Sequence, residues 1–310
     1  MPITRSEIVA ASRRIDADVR HTPLLRIAGR DLGIDCAELW LKLEHLQVGG
    51  SFKARGMFNR MRAASVGDAG VVVASGGNAG IAVAHAARSL GVRCEVFVPE
   101  TSSRAKRDRL GELGAVVTVG GAGYADALAA SLERQRATGA LLMHAYDQRE
   151  VVIGAGTLAA EVEADAGVPD RALVSVGGGG LIAGVCAWFE DRCTIDALEP
   201  ELAPTLARAR AAGRPVDVDV SGIAADSLGA RRIGTIAWEL TQRHVGASHL
   251  LADAAIRAAQ ETMWRELRLA VEPAAALPLA ALTTGVVAPR RGEKVLLVVC
   301  GANLDVATLA

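Results

Sequence analysis

The chain is poor in lysine, in aromatic residues and in net charge. Only four of its 34 basic residues are lysine, aromatic residues make up 3% of the 310 residues, and the formal net charge is −1. A balance of this kind argues against the basic surface of a nucleic-acid-binding protein. No apolar run reaches the roughly 18 residues that indicate a membrane-spanning helix. We therefore expect neither a nucleic-acid partner nor a membrane partner.

The cysteines offer neither a disulfide framework nor a zinc site, because the five are scattered and no Cys-x-x-Cys pair occurs. The six histidines show no spacing suited to a metal either, so we predict no metal site. Residues 1–20 are typical of an amphipathic helix with acidic residues and lack the apolar core of a signal peptide. These features together predict a cytoplasmic protein with reduced thiols.

Short apolar runs alternate with longer helical stretches from about residue 70 onward. Strands are predicted over 71–74, 95–98, 115–119, 141–143, 172–176 and 295–299. Helices are predicted over 54–64, 79–90, 103–113, 124–137 and 157–166, and the C-terminal third is predicted to be mostly helical before its last strand. Near-continuous apolar strands that alternate with helices favour an α/β fold with mainly parallel sheets covered on both faces.

Three loops directly follow predicted strands, at residues 75–80, 177–180 and 300–303. Ligands of open α/β sheets bind beyond the carboxyl ends of the strands, so we expect the three loops to line one crevice. The loop at 177–180 consists of four glycines, which is more than a turn needs. Backbone N–H groups at a helix start, with glycine allowing close approach, favour a phosphate there. The plainer interpretation is a tight turn without a ligand.

The same glycines also fit a dinucleotide-binding fingerprint. Residues 178–183 match G-x-G-x-x-A, with Glu199 about 20 residues further on, and residues 151–159 imitate the same signature. A nicotinamide oxidoreductase is therefore an alternative. Two features count against it: both matches lie in the middle of the chain, whereas the fingerprint normally opens the fold, and the segment 50–56 is left unexplained.

Residues 50–56 read Gly-Ser-Phe-Lys-Ala-Arg-Gly and precede a predicted helix. Lys53 therefore lies at or near a helix N-terminus, where the positive end of the helix dipole disfavours a protonated amine and lowers its pKa. Such a lysine is suited to form a Schiff base with an aldehyde cofactor. Its position alone is equally compatible with a solvated surface lysine. The other lysines are poorer candidates: Lys42 lies in a strand, Lys106 in a charged run and Lys294 in a polar turn.

Together, these motifs resemble the fold type II family of enzymes that use pyridoxal 5'-phosphate (PLP), which includes serine and threonine dehydratases and serine racemase. The resemblance runs from residues 21–24 (His-Thr-Pro-Leu) to residues 300–303 (Cys-Gly-Ala-Asn) and covers nearly the whole chain. It is strongest for the serine dehydratase branch, which has sequences similar to residues 75–82 and a cysteine at the position of Cys300.

The resemblance implies a two-domain α/β fold like that of the tryptophan synthase β subunit, with mainly parallel sheets flanked by helices. A large cofactor-binding domain would comprise residues 1–49 and 148–310, and a small mobile substrate domain would comprise residues 50–147. A homodimer is expected on the same ground. Biosynthetic threonine dehydratases continue into a regulatory domain, which we do not expect here because the chain ends soon after Asn303.

The resemblance also implies a role for individual residues. Lys53 would be the catalytic residue, which holds the cofactor and then takes the Cα proton of the substrate with its freed amine. The positions that would bind PLP are Phe52, Lys53, Asn78, Gly177, Gly178, Gly179, Gly180, Leu181, Glu272 and Cys300. The positions that would bind the substrate are Ser75, Gly76, Asn78 and Ala79.

The residue at position 300 bears on the reaction, because the resemblance implies that it faces the pyridine nitrogen of the cofactor. A thiol is a weak hydrogen-bond partner and leaves that nitrogen neutral, which favours β-elimination over transamination. We therefore predict elimination of water from L-serine and/or L-threonine, giving pyruvate or 2-oxobutanoate and ammonia. A different hydroxy amino acid, or β-replacement, is the alternative within PLP chemistry. A PLP-carrier protein without activity is the non-enzymatic alternative.

Two departures from the family pattern are informative. Serine racemases have a serine where this chain has Gly76, and glycine cannot protonate the opposite face of Cα, so we expect little or no racemization. The divalent-cation site of racemases would fall on Glu199, Ala203 and Thr205, and Thr205 replaces an acid there, so we do not predict that metal. A monovalent cation is still compatible with the sequence.

Overall fold

The computed structural model describes residues 2–309, which contain two β-sheets. The strands are β1 (Leu24–Ala28), β2 (Glu38–Lys42), β3 (Val71–Ala74), β4 (Cys94–Val98), β5 (Val116–Val119), β6 (Leu141–Met143), β7 (Arg171–Ser175), β8 (Thr194–Pro200), β9 (Val245–Leu251) and β10 (Lys294–Val298). The six-stranded sheet has the order β1-β2-β10-β7-β8-β9, and the four-stranded sheet has the order β5-β4-β3-β6. Only the pair β1–β2 is antiparallel, so the predicted α/β fold with mainly parallel sheets is confirmed.

Helices cover both sheets. They are α1 (Arg5–Ile15), α2 (Lys53–Ala63), α3 (Asn78–Ser89), α4 (Arg104–Glu112), α5 (Tyr124–Thr138), α6 (Arg149–Ala166), α7 (Gly180–Phe189), α8 (Thr205–Ala212), α9 (Ala225–Leu228), α10 (Thr235–His244), α11 (Asp253–Leu267) and α12 (Pro273–Thr283). Within the described part of the chain, no helix is both long and apolar enough to cross a membrane.

Each sheet has its own apolar core. The larger core is built around the six-stranded sheet and includes Trp40, Leu173 and Leu297, all of which are buried. A separate core lies against one face of the four-stranded sheet and includes Phe58 and Val96. The two sheets therefore pack against different apolar cores, and the crevice lies where the two sheets meet.

The six predicted strands are all present, each within one residue of its predicted bounds, and four of the five predicted helices agree equally well. Strands β1, β8 and β9 were not predicted from the sequence. Strand β8 contains two buried polar residues, Asp196 and Glu199, and therefore lacks the continuous apolar run that reveals its neighbours in the sequence. The expectation of a mostly helical C-terminal third is therefore wrong at β9, and Lys294 begins a strand rather than lying in a turn.

The remaining helix, predicted to begin near Thr157, begins at Arg149. Residues 151–159 are therefore the buried interior of α6, and their interpretation as a second dinucleotide fingerprint is wrong. Their glycines serve helix packing instead. A Cβ at Gly154 would lie 2.5 Å from the carbonyl oxygen of Arg55 in α2, and one at Gly156 would lie 3.0 Å from that of Gly184 in α7.

A buried ionic cluster fixes the first turn of α2 to α6 and to the short helical turn Glu44–Leu46 that follows β2. The Arg55 guanidinium donates to both carboxylate oxygens of Glu44 at 2.8 Å and to those of Glu161 at 2.6 and 2.8 Å. Lys42 donates to Glu161 at 2.6 Å, and Thr22 donates to Glu44 at 2.5 Å. Although burial disfavours its charge, the carboxylates raise the pKa of Arg55. Two cations and two anions thus compensate one another, with Lys42, Glu44 and Arg55 buried and Glu161 slightly exposed.

Replacing Arg55 with Met should lower the free energy of unfolding by about 3–5 kcal/mol, because it leaves the carboxylate of Glu44 buried without its cation. Urea denaturation measures this loss. The control is Arg26→Met, which removes a half-exposed pair with Glu38 and should cost only about 0–1 kcal/mol. Equal losses in the two variants would contradict the stabilising role of the buried cluster.

Candidate active site

Lys53 is the first residue of α2, as the sequence predicts. Its Nζ donates to the carbonyl oxygen of Ala145 at 2.8 Å and lies 5.0 Å from the centre of the Phe52 ring. Burial lowers the pKa of Lys53 to about 8, and the Cys300 and Glu272 groups, which raise it, offset only part of this effect. The lowering agrees with the prediction, and burial is its largest cause. The lysine can therefore present a neutral, nucleophilic amine near neutral pH.

The glycine loop at 177–180 joins β7 to α7. Gly179 has φ = 88°, a left-handed conformation that glycine adopts without strain. Among residues 2–309, no carbonyl or side-chain oxygen accepts a hydrogen bond from the N–H groups of 177–181, and the first turn of α7 has no side-chain cap. Free N–H groups at the positive end of a helix are a ready anion site, so the turn fits a phosphate group.

The glycines of this turn are packed too closely for larger residues. A Cβ at Gly178 would overlap the ring of Tyr146, and one at Gly177 would lie 2.9 Å from the Cα of Leu228. Tyr146 belongs to the segment that leads from β6 to α6, and its hydroxyl donates to the carbonyl oxygen of Arg232 at 3.3 Å. The path of the glycine turn therefore depends on Tyr146, a residue that the sequence analysis did not assign.

Asn78, the first residue of α3, is held by two partners from the other side of the crevice. Its Nδ2 donates to the carboxylate oxygens of Glu272 at 3.0 and 2.9 Å, and its Oδ1 accepts from Nδ2 of Asn303 at 2.6 Å. The backbone N–H of Asn303 also donates to Glu272, at 2.7 Å. Burial raises the pKa of Glu272, while these hydrogen bonds lower it. The loops that begin at residues 75 and 300 are therefore in direct contact through Asn78 and Asn303, in agreement with the prediction that both line one crevice.

The residues expected to bind the cofactor line one small pocket, which we call the inner pocket. It is lined by Phe52, Lys53, Asn78, Ser175, Gly177, Gly178, Gly179, Gly180, Leu181, Ser227, Leu228, Ala274, Glu272 and Cys300. All ten expected positions are present, together with four that the sequence analysis missed. Burial raises the pKa of the Cys300 thiol, so that the group stays uncharged at neutral pH. The pocket thus combines a nucleophilic amine, free backbone donors and a neutral thiol.

A larger cavity of about 560 Å³, which we call the outer cleft, adjoins the inner pocket and shares Lys53 and Asn78 with it. The four expected substrate-binding positions line it: Ser75, Gly76, Asn78 and Ala79. The outer cleft is also lined by both tyrosines of the chain, Tyr124 and Tyr146. Across its mouth, Lys106 of α4 pairs with Asp226 of α9 at 2.9 Å.

Glu199 takes no part in either cavity but caps α8. Its buried carboxylate accepts from the N–H groups of Leu206 at 2.6 Å and Ala207 at 2.8 Å and lies 3.1 Å from the hydroxyl oxygen of Thr205. Thr205 in turn donates to the carbonyl oxygen of Gly177 at 2.6 Å. Glu199 therefore does not act as the ribose-binding acid of a dinucleotide site. Among residues 2–309, no group of three or more His, Cys, Asp and Glu side chains could hold a metal ion.

The residues missed by sequence reasoning share one property: no motif near them in the sequence marks them as part of the site. Tyr146 and Ser227 follow no glycine motif and reach the site only through the packing of other elements. Asn303 lies in a loop that the sequence analysis placed at the crevice, but a single Asn has no pattern that reveals its partners.

Comparison with known proteins identifies the class to which this site belongs. The family described as pyridoxal-phosphate dependent enzyme matches residues 15–301. This match covers more than half of the chain, and the chain therefore belongs to that family and uses PLP. The predicted family, fold and cofactor are confirmed, and the nicotinamide alternative is left without support.

Individual relatives narrow the class further. The chain is 32% identical to the biosynthetic L-threonine dehydratase of Corynebacterium glutamicum, over 99% of this chain and 73% of that protein. It is 35% identical to the phenylserine dehydratase of Ralstonia pickettii, over 87% of this chain and 84% of that protein. The crystal structure of the threonine deaminase of T.th. superimposes with a TM-score of 0.90 at 31% identity and covers 97% of this chain and 99% of that one.

The rate at which the apoenzyme covalently attaches PLP should rise with pH, with its midpoint at about 8. Attachment needs the neutral amine, and the pKa of Lys53 lies at about 8 rather than at its usual value of 10.5. Stopped-flow absorbance of the apoenzyme mixed with PLP measures the midpoint. A midpoint near the usual lysine value would show that the amine is not buried as described.

Replacing Gly178 with Ala should weaken PLP binding by more than about tenfold, because the added methyl group overlaps the Tyr146 ring and displaces the turn. Fluorescence titration of the apoenzyme with PLP measures the dissociation constant. The matched control is Gly111→Ala in α4, where an added Cβ meets nothing within 4 Å. That variant should bind PLP normally, and equal affinity in the Gly178 variant would refute the close packing of the turn.

Proposed function

We propose that the protein is a PLP-dependent dehydratase that eliminates water from L-serine and/or L-threonine to give pyruvate or 2-oxobutanoate and ammonia. The observation that carries this proposal is the inner pocket itself, in which the Lys53 amine, the free N–H groups of 177–181 and the neutral thiol of Cys300 converge. The dehydratase relatives support the same reaction class.

Each group in the inner pocket has a proposed task. When bound, PLP supplies an aldehyde for covalent attachment and an electron sink for the reacting amino acid. Lys53 would hold the cofactor, and its Nζ, once released, would accept the proton from Cα of the substrate. The N–H groups of 177–181 would bind the phosphate group. Asn78 would orient the ring, with Phe52 and Glu272 beside it. The neutral thiol of Cys300 would leave the ring nitrogen without a proton.

Substrate binding is assigned to the loop that precedes α3. We propose that the substrate carboxylate binds against Ser75, Gly76, Asn78 and Ala79, where α3 begins without a side-chain cap. The positive end of this helix favours an anion at that point. The carboxylate would therefore be oriented by the small sheet, while the phosphate is held by the large one. Both groups would then be fixed on either side of the Lys53 amine.

We further propose the domain division expected from the sequence, with residues 1–49 and 148–310 forming a large domain and residues 50–147 a small mobile domain. The separate apolar cores of the two sheets support it. A homodimer in the cytoplasm is proposed as well, and the five free cysteines agree with a reducing compartment. Light scattering on the purified holoenzyme tests the dimer directly.

Replacing Lys53 with Ala should abolish the release of ammonia and 2-oxo acid, because the variant lacks both the attachment point and the Cα base. Ammonia is measured over a panel containing L-serine, L-threonine and larger or charged β-hydroxy amino acids. A parallel assay with an added thiol looks for the thioether amino acid that β-replacement would form. The control is Lys294→Ala, whose Nζ lies over the Trp40 ring far from the inner pocket, and which should retain full activity.

Borohydride reduction of the holoenzyme followed by peptide mapping should place the cofactor on Lys53. The dehydratase proposal is abandoned if the label maps to another lysine, or if no amino acid in the panel releases ammonia. Formation of a thioether amino acid from the added thiol, with release of water but not of ammonia, would instead support β-replacement. Ammonia release only from a larger or charged substrate would move the specificity away from serine and threonine.

A further inference from the structure

The side-chain amide of Asn78 could face the inner pocket in either of two orientations. Its oxygen accepts hydrogen bonds and its nitrogen donates two, so a 180° turn would exchange a donor for an acceptor at the place where the ring of the cofactor is proposed to bind. The orientation therefore needs a physical cause. The residues around Asn78 supply one, through a chain of contacts that begins at a backbone carbonyl.

The chain of contacts begins at the carbonyl oxygen of Gly49, which can only accept. Nδ2 of Asn303 donates to this oxygen at 2.8 Å and to Oδ1 of Asn78 at 2.6 Å. If the Asn303 amide turned, its own oxygen would face the Gly49 carbonyl, and two acceptors would oppose each other. Gly49 therefore fixes the amide of Asn303, and Asn303 then requires an acceptor, Oδ1, on the facing side of Asn78.

Glu272 fixes the same orientation from the opposite side. Both of its carboxylate oxygens accept from Nδ2 of Asn78, at 3.0 and 2.9 Å, and one also accepts from the backbone N–H of Asn303 at 2.7 Å. Both oxygens of Glu272 already accept here, so a turned Asn78 would bring a further acceptor against them. The amide nitrogen carries two N–H groups, so it can bond to Glu272 and still offer a donor to a ligand.

The backbone next to Gly49 leaves room for the side chain of Asn303. Gly50 has φ = +76°, and a Cβ there would lie 2.7 Å from Oδ1 of Asn303. The N–H of Ala302 donates to the carbonyl oxygen of Gly50 at 2.9 Å, and Ser51 pairs with Gly301. The segment just before Lys53 is thus bonded directly to the loop that carries Asn303.

We propose that Asn303 is a positioning residue that fixes the orientation of the Asn78 amide, so that Asn78 presents an N–H donor to the cofactor. Asn303 need not touch the cofactor itself, since it acts through Asn78. The inference rests on the proposed placement of PLP beside Asn78. It assigns a function to a residue that the sequence patterns did not single out.

The test compares Asn303→Ala with the isosteric variant Asn303→Asp. Alanine removes the donor and should raise the dissociation constant of PLP by up to about tenfold, the value of one lost hydrogen bond. Aspartate keeps the shape but places an acceptor 2.6 Å from Oδ1 of Asn78 and 2.8 Å from the carbonyl oxygen of Gly49. Asn303→Asp should therefore bind PLP more weakly than Asn303→Ala, although it is the smaller change in shape.

The measurements are titration of each apoenzyme with PLP and the absorption spectrum of the bound cofactor. A turned Asn78 alters the hydrogen bond offered to the ring, so both variants should change the relative heights of the near-ultraviolet and visible bands. The matched control for added charge is Val306→Asp, a substitution at an exposed residue of the same C-terminal segment. It should leave the affinity and the spectrum of wild type unchanged.

A purely structural role for Asn303 predicts the opposite order, with the isosteric Asp variant closer to wild type than the Ala variant. That order, or wild-type affinity and spectrum in both variants, would overturn the proposal. Failure of the dehydratase proposal is a separate result, because it would appear as absent ammonia release in the wild-type enzyme. The affinity and the spectrum of bound PLP test Asn303 whether or not elimination occurs.

Discussion

The site depends most on the buried ionic cluster of Arg55, Glu44, Glu161 and Lys42. Arg55 stands two residues after Lys53 in the first turn of α2, and its guanidinium is bonded to carboxylates from two other elements, the short helical turn after β2 and helix α6. Removing either partner would leave a charge uncompensated away from water, so the first turn of α2 has only one stable placement. The position of the Lys53 amine therefore follows from charges that take no part in the chemistry.

The cluster also explains why two buried lysines behave differently. Lys42 is completely buried, and its charge is compensated because its Nζ donates to Glu161 at 2.6 Å. Lys53 has no carboxylate in hydrogen-bond contact among the described residues; its partner is the carbonyl oxygen of Ala145. Burial without a paired anion lowers the pKa of Lys53, whereas Lys42 has a carboxylate partner. The same scaffold thus holds one lysine as a structural cation and the other as a nucleophile.

Sequence reasoning reached those parts of the fold and site that are encoded locally. Each glycine loop follows an apolar strand directly, so the period of the pattern located both the strand and the loop, and the parallel topology then brought the loops together. The same reasoning was wrong for residues 151–159, because the sequence pattern of two nearby glycines is the same whether they contact a phosphate or a neighbouring helix. Gly154 and Gly156 admit α2 and α7, and only the three-dimensional contacts reveal this. Strand β8 was missed because its buried acids are compensated by residues distant in sequence, such as Arg171 for Asp196.

The residues that sequence reasoning could not find are those that join the two sheets. Tyr146 follows strand β6 of the small sheet and packs against the glycine turn that follows β7 of the large sheet. Asn303 follows strand β10 of the large sheet and donates a hydrogen bond to Asn78 at the start of α3. Each acts across the crevice, so neither has a partner near it in the sequence. A site assembled in this way requires both sheets to be folded and in contact before its polar groups are oriented. A ligand stabilises the arrangement that it requires for binding. Cofactor binding should therefore stabilise the contact between the two sheets as well as the fold of each sheet.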